Sequence, residues 1–155
     1  MGVEIERKFL VIPEHWNPEK EGKEIKQGYL STDPERNVRV RIYGGDAFLT
    51  IKGKTVGISR TEIEYPIPLD DATELLQLCH RPLIEKLRYT IPESTLMWEV
   101  DIFSGENEGL MIAEIELPDE ATTFEKPAWV GEEVTTDFRY SNSSLCEKPF
   151  RTWSN

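Results

Sequence analysis

Val3-Glu4-Ile5-Glu6-Arg7-Lys8-Phe9-Leu10-Val11 opens the chain with a period-two pattern, and its two faces differ in kind. In a strand, side chains two apart share a face, so Glu4, Glu6 and Lys8 project together, opposite Val3, Ile5, Arg7 and Phe9. Seven more segments read the same way: Ile25 to Ser31, Asn37 to Tyr43, Ala47 to Lys52, Ser59 to Ile67, Ile84 to Ile91, Met97 to Phe103 and Leu110 to Leu117. Turn chemistry at Asp33-Pro34, Gly44-Gly45-Asp46, Gly53 to Gly57, Pro92-Glu93-Ser94 and Ser104-Gly105 separates them by short reversals, which predicts antiparallel neighbours in meander-like order.

Parity within the strands carries the functional information. One face collects Arg39 and Arg41, Thr50 and Lys52, Arg60, Glu62 and Glu64, Lys86 and Arg88, Glu99 and Asp101, Glu114 and Glu116. The other collects Val38, Val40, Ile42, Leu49, Ile51, Ile63, Leu87, Val100, Ile102, Ala113, Ile115 and Leu117. For any single strand, a charged face is ordinarily the solvated side of a sheet. Solvated faces, however, mix Ser, Thr, Gln and Lys, whereas this one repeats Arg, Lys, Glu or Asp from strand to strand. Its charges are nearly balanced although the whole chain carries -11, so cations have been gathered here.

The pattern predicts a mainly β (α+β) fold, an eight-stranded antiparallel closed β-barrel or tunnel with a polar, charged lumen and a few flanking helices outside. Burying so many unpaired charges would be prohibitive, so the lumen is expected to be wide, wet and completed by ions or ligand. Helices are expected at Asp70 to Leu78, where an acidic first turn precedes leucines on one side, at Asp119 to Glu125, and in a short stretch from Ser141 to Glu147 after a loop carrying Pro127, Trp129 and Gly131.

At 155 residues the chain has the length of one domain, and residues 1-155 are read as such. The acidic balance argues against a nucleic-acid partner, because such binders spread an excess of Lys and Arg over a broad surface. A polyanionic ligand would have to be met locally, by a segregated basic pocket, bound divalent cations or both. The two cysteines, Cys79 and Cys146, have no metal-like spacing and read as reduced thiols. No signal peptide and no apolar run of membrane-spanning length is seen, so a cytoplasmic protein without membrane association is expected. There the sequon Asn142-Ser143-Ser144 has no meaning. Barrel-side apolars are compatible with a homodimer.

Glu4, Glu6, Glu114 and Glu116 offer only hard oxygen ligands, which suit Mg2+ or Mn2+ and serve zinc or copper poorly. Arg39, Arg41, Lys52, Lys86 and Arg88 offer guanidinium forks and ammonium charges for phosphate oxygens. Carboxylates, metal and a basic cluster together point to a polyphosphate. Its hydrolysis needs little covalent chemistry from the protein, only positioned water and stabilised charge.

The same residues resemble a family. Glu4-Ile5-Glu6-Arg7-Lys8 is similar to the E-x-E-x-K signature of the CYTH superfamily, the triphosphate tunnel metalloenzymes, which includes class IV adenylyl cyclases, thiamine triphosphatases and bacterial tripolyphosphatases. Gln27-Gly28-Tyr29-Leu30, Val38 to Arg41, Leu49 to Lys52, Arg60 to Glu64, Glu85 to Tyr89, Glu99 to Asp101 and Ala113 to Glu116 follow in order and extend the resemblance over nearly the whole chain. The resemblance implies a metal set of Glu4, Glu6, Glu114 and Glu116, joined by Glu62 and Glu64. It implies a phosphate-binding set of Lys8, Arg39, Arg41, Lys52, Lys86 and Arg88, with Lys8, Tyr29 and Lys86 in catalytic positions. Tyr29 reads equally as an aromatic packed at a strand end. Arg139 lies in a closing segment similar to that of short bacterial members and is a candidate to reach substrate.

The resemblance ranks inorganic triphosphatase first, acting on tripolyphosphate. Class IV adenylyl cyclase is the alternative, although no adenine-stacking pocket is legible from spacing. Thiamine or nucleoside triphosphatase activity fits a tunnel that grips phosphates alone. A non-catalytic binding module would have no use for the carboxylates.

Overall fold

All eight alternating segments form strands, and their hydrogen-bonded order returns to where it began. The computed structural model describes residues 3–153. The strands are β1 (Val3–Val11), β2 (Lys23–Ser31), β3 (Arg36–Tyr43), β4 (Asp46–Val56), β5 (Ser59–Ile67), β6 (Ile84–Glu93), β7 (Leu96–Phe103), β8 (Met111–Glu116) and β9 (Val130–Glu133), with helices α1 (Leu69–Leu78) and α2 (Asn142–Glu147). Around the wall the order runs β5, β4, β3, β2, β6, β7, β8, β1, and β1 closes on β5 through Val3↔Thr61, Glu4↔Arg60 and Ile5↔Ser59. Every pairing is antiparallel. The expected eight-stranded barrel is therefore the observed architecture.

Three details differ from the sequence reading. The loop at Trp129 and Gly131 contains β9, which pairs with β1 at Phe9↔Glu133 and Val11↔Val130 beyond the barrel. Four residues with one glycine carry too little alternation to announce a strand. β4 runs past Lys52 to Val56 because a register shift between Lys52 and Thr55 absorbs Gly53, and the reversal falls at Gly57, whose φ of +65 degrees is left-handed and suits glycine. The helix expected over Asp119 to Glu125 does not form. Asp119 Oδ1 instead accepts from Ala121 N at 2.9 Å and Thr122 Oγ1 at 3.1 Å, a local turn that competes with helix, and Phe124 is drawn onto the barrel wall.

Apolar residues pack in three places. On the outside of β2 to β5, Ala72 and Leu76 of α1 cover Val40 and Ala47. On the outside of β1, β7 and β8, Phe9, Trp98, Val100, Ala113 and Ile115 lie under Trp16, Phe124 and Trp129. The third cluster is inside: Leu10, Ile84, Phe103 and Ile112 continue the lumen-facing parity of Lys8, Lys86, Asp101 and Glu114, and they pack against Leu145 and Cys146 of α2. Ser141 caps α2, its hydroxyl accepting from Ser144 N at 3.2 Å. The lumen is thus charged along one part of its length and closed at the other end by an apolar plug.

Candidate active site

A polar cavity of about 220 Å3 occupies the charged part of the barrel. It is lined by Glu4, Glu6 and Lys8 of β1, Tyr29 of β2, Arg39 and Arg41 of β3, Lys52 of β4, Glu62 and Glu64 of β5, Arg88 of β6, and Glu114 and Glu116 of β8. Parity alone brings these residues together, since each strand contributes every second side chain. Lys86 and Asp101 share the parity but lie beneath the cavity, with side chains 0% and 2% exposed.

The basic side is held by a chain of polar contacts. Lys86 Nζ lies 2.7 Å from Asp101 Oδ2, and Arg88 grips the same carboxylate through Nε at 2.8 Å and Nη2 at 2.9 Å. Two buried cations hold Asp101 ionised well below the usual carboxylate range, outweighing the burial that would raise it. Arg41 donates from Nε to Gln27 Oε1 at 2.7 Å and enters none of the ion pairs among the described residues. Burial, then repulsion from Arg39 and Arg88, pushes its guanidinium down to about 9. Arg39 Nη2 donates to Thr50 Oγ1 at 3.1 Å and lies 3.4 Å from Glu64 Oε2, while its Nε is the buried side-chain nitrogen left without a partner among the described residues. A buried guanidinium without a counter-ion and a buried donor without an acceptor are both met by an anion in this cavity.

The acidic side is crowded. Glu4 takes Lys52 Nζ on both carboxylate oxygens, at 3.0 and 3.1 Å, and Lys52 also lies 3.4 Å from Glu62. Lys8 Nζ sits 3.9 Å from Glu114 and donates to Tyr140 O at 3.3 Å. Burial, then the charges of Glu114 and Glu4, raises Glu6 well above an ordinary glutamate. Glu116 is raised too, by burial and then Glu4 and Glu99. Among the described residues no three ligating side chains converge as they stand. The donor set nevertheless fits a divalent metal: it is oxygen-only, with Glu4 buried, Glu6 and Glu114 half-buried and Glu116 exposed, and its mutual repulsion is one a 2+ ion would relieve.

Tyr29 lies between the plug and the cavity. It packs in the inner plug, 4% exposed, and also lines the cavity, with its hydroxyl 3.4 Å from Gln27 Nε2. Arg139 is not brought to the cavity. Its side chain is 65% exposed, bound to Asp137 at 2.7 Å and stacked over Trp153, because the 3-10 turn Phe138–Tyr140 directs it outward. Ion pairs between neighbouring or next-nearest strands, Arg39 with Glu64, Lys52 with Glu4, Lys86 with Asp101 and Arg88 with Glu99, offset several of these charges. Sequence reasoning missed Gln27 and Asn37, which strand parity could have supplied, and Ser141 to Ser143, which reach the cavity from the plug and follow no parity.

A sequence profile of the CYTH domain matches residues 2–149. The chain is 50% identical over 154 residues to an inorganic triphosphatase of Acetivibrio thermocellus, covering 99% of each. It is 38% identical over 147 residues to an inorganic triphosphatase of Nitrosomonas europaea, covering 92% of this chain and 95% of that one. The crystal structure of the inorganic triphosphatase NE1496 superposes with a TM-score of 0.65 at 35% identity, over 94% of this chain and 95% of that one. With the closed antiparallel barrel, its charged lumen and a match across nearly its whole length, this chain belongs to the CYTH domain family.

Proposed function

We propose that the chain is an inorganic triphosphatase that hydrolyses tripolyphosphate to pyrophosphate and phosphate inside the barrel, with Mg2+ or Mn2+ as cofactor. The observation that carries this reading is one cavity lined both by a basic set, in which Arg41 enters no ion pair and Arg39 Nε lacks an acceptor among the described residues, and by the carboxylates of Glu4, Glu6, Glu114 and Glu116. The names of the two relatives support it.

In this reading Arg39, Arg41, Lys52 and Arg88 hold the phosphate chain, and Glu4, Glu6, Glu114 and Glu116, with Glu62 and Glu64 behind Lys52 and Arg39, hold the metal. The metal, when bound, neutralises phosphate oxygens and lowers the pKa of a water molecule. Lys8 stands where the acidic wall meets the plug and stabilises charge on the reacting phosphate. Tyr29 borders that end of the cavity. Lys86 acts from beneath, fixing Asp101 and through it the orientation of Arg88. Two buried free thiols, Cys79 and Cys146, support a cytoplasmic setting.

Incubation of the purified protein with Mg2+ or Mn2+ and, separately, tripolyphosphate, ATP and thiamine triphosphate tests the reading. Phosphate release should be fastest from tripolyphosphate and abolished by chelation. Cyclic AMP with pyrophosphate from ATP, or tight triphosphate binding without turnover, would overturn it.

A further inference from the structure

The plug contributes a polar side chain whose orientation the network behind it dictates. Asn142 Oδ1 accepts two hydrogen bonds, from Lys86 Nζ at 2.9 Å and from Gln27 Nε2 at 3.2 Å. An ammonium can only donate, so the atom facing Lys86 is the amide oxygen. Gln27 is oriented independently: Arg41 Nε, also only a donor, takes its carbonyl at 2.7 Å, which leaves its NH2 group for Asn142. With its oxygen fixed from both sides, Asn142 keeps two N–H donors on Nδ2, which make no hydrogen bond among the described residues. The residue lines the cavity.

We infer that Asn142 is a substrate-contacting residue that donates from Nδ2 to a terminal phosphate oxygen at the plugged end of the lumen. The inference rests on the triphosphatase reading. The apolar plug closes this end, so a linear anion entering from the charged end stops where Lys8, Tyr29 and Asn142 meet. Arg41, Gln27, Asn142, Lys86, Asp101 and Arg88 form one hydrogen-bonded chain, so the donor is held in place by the groups that orient the basic wall. Asn142 is therefore also a specificity element, favouring an unsubstituted terminal phosphate over one that carries an ester.

Asn142→Asp separates this role from a structural one. The carboxylate keeps an acceptor for Lys86 and Gln27 but removes the donor and places a negative charge toward phosphate. Binding of tripolyphosphate is measured calorimetrically in Ca2+, alongside turnover in Mg2+ and the melting temperature. Loss of a hydrogen bond to a charged group predicts affinity for tripolyphosphate roughly tenfold to hundredfold weaker, with KM raised to match. The melting temperature should hold. Asn142→Ala, lacking both functions, should weaken binding and lower the melting temperature. Wild-type affinity in Asn142→Asp would overturn the inference while leaving the triphosphatase reading intact; a wild-type protein that binds no tripolyphosphate would overturn the reading itself.

Discussion

Lys52 on β4 and Glu4 on β1 are each other's counter-ion across the intervening β5, with Nζ 3.0 and 3.1 Å from the two carboxylate oxygens. One is the candidate for phosphate and the other for metal, so loading the cavity must exchange this internal pair for external partners. Both side chains are largely buried, 14% and 10% exposed, which makes the pair costly to break from one side.

Lys52→Met therefore leaves Glu4 buried without its cation. Truncating one partner of a buried pair costs about 3–5 kcal/mol. The variant's melting temperature should fall in chelator, and Mn2+ should restore more stability to it than to wild type. Differential scanning fluorimetry with and without the ion reads both. Equal shifts in the two proteins would detach Glu4 from the metal.

Glu6 carries the opposite strain. Burial and the neighbouring Glu114 and Glu4 raise its folded pKa well above the ordinary 4.5. A carboxyl whose folded pKa exceeds its unfolded value binds more protons folded than unfolded. Its contribution is complete at low pH and lost as pH rises through the raised value. Metal-free wild type should lose stability over that window, and Glu6→Gln should flatten the loss and melt higher at neutral pH. The same substitution should abolish metal-dependent turnover. Melting curves in chelator across pH, paired with phosphate release, would contradict the account if Glu6→Gln melted lower or stayed active.

Asp101 supplies the reverse sign. Lys86 and Arg88 depress its pKa, so its contribution is present above the ordinary aspartate value of 3.8 and is lost as pH falls toward its lowered folded value. Asp101→Asn leaves two buried cations uncompensated. We expect a loss of about 3–5 kcal/mol by chemical denaturation, together with a raised KM, since Arg88 loses its bidentate hold. A variant as stable as wild type would show that the pair is replaceable.

Arg39→Ala and Arg139→Ala form a contrast. Arg39 presents an unpartnered Nε from a buried guanidinium, and its removal should raise KM for tripolyphosphate at least tenfold. Arg139 lies outside the cavity lining, held by Asp137 and stacked on Trp153, so its removal should leave kcat/KM within about twofold of wild type, as for surface changes away from a site. Steady-state kinetics of the two variants under one metal condition decide the matter. A large effect at Arg139 would mean that the closing segment reaches inward during turnover.

Where side-chain period determined position, the sequence was legible. Glu4, Glu6, Arg39, Arg41, Lys52, Glu114 and Glu116 fall on one face by counting residues, and barrel closure only had to bring the faces together. The same counting could not distinguish a residue in the cavity from one below it. Lys86 and Arg88 have equal parity, yet Lys86 is enclosed because Phe103, Ile84 and α2 fill the lumen at its level. Asn142 was out of reach, since a capped six-residue helix enters the barrel through tertiary packing that no local pattern records. The helix expected at Asp119 to Glu125 shows the converse, a local expectation overridden by an Asx turn and the packing of Phe124 on the barrel wall.

Anomalous diffraction from crystals soaked with Mn2+ and pyrophosphate, the product expected of the proposed reaction, tests the central claim most directly. The account predicts manganese among Glu4, Glu6, Glu114 and Glu116, with phosphate oxygens on Arg39, Arg41 and Lys52 and the Lys52–Glu4 pair opened. Manganese bound only outside the barrel, or pyrophosphate seated away from this wall, would contradict it.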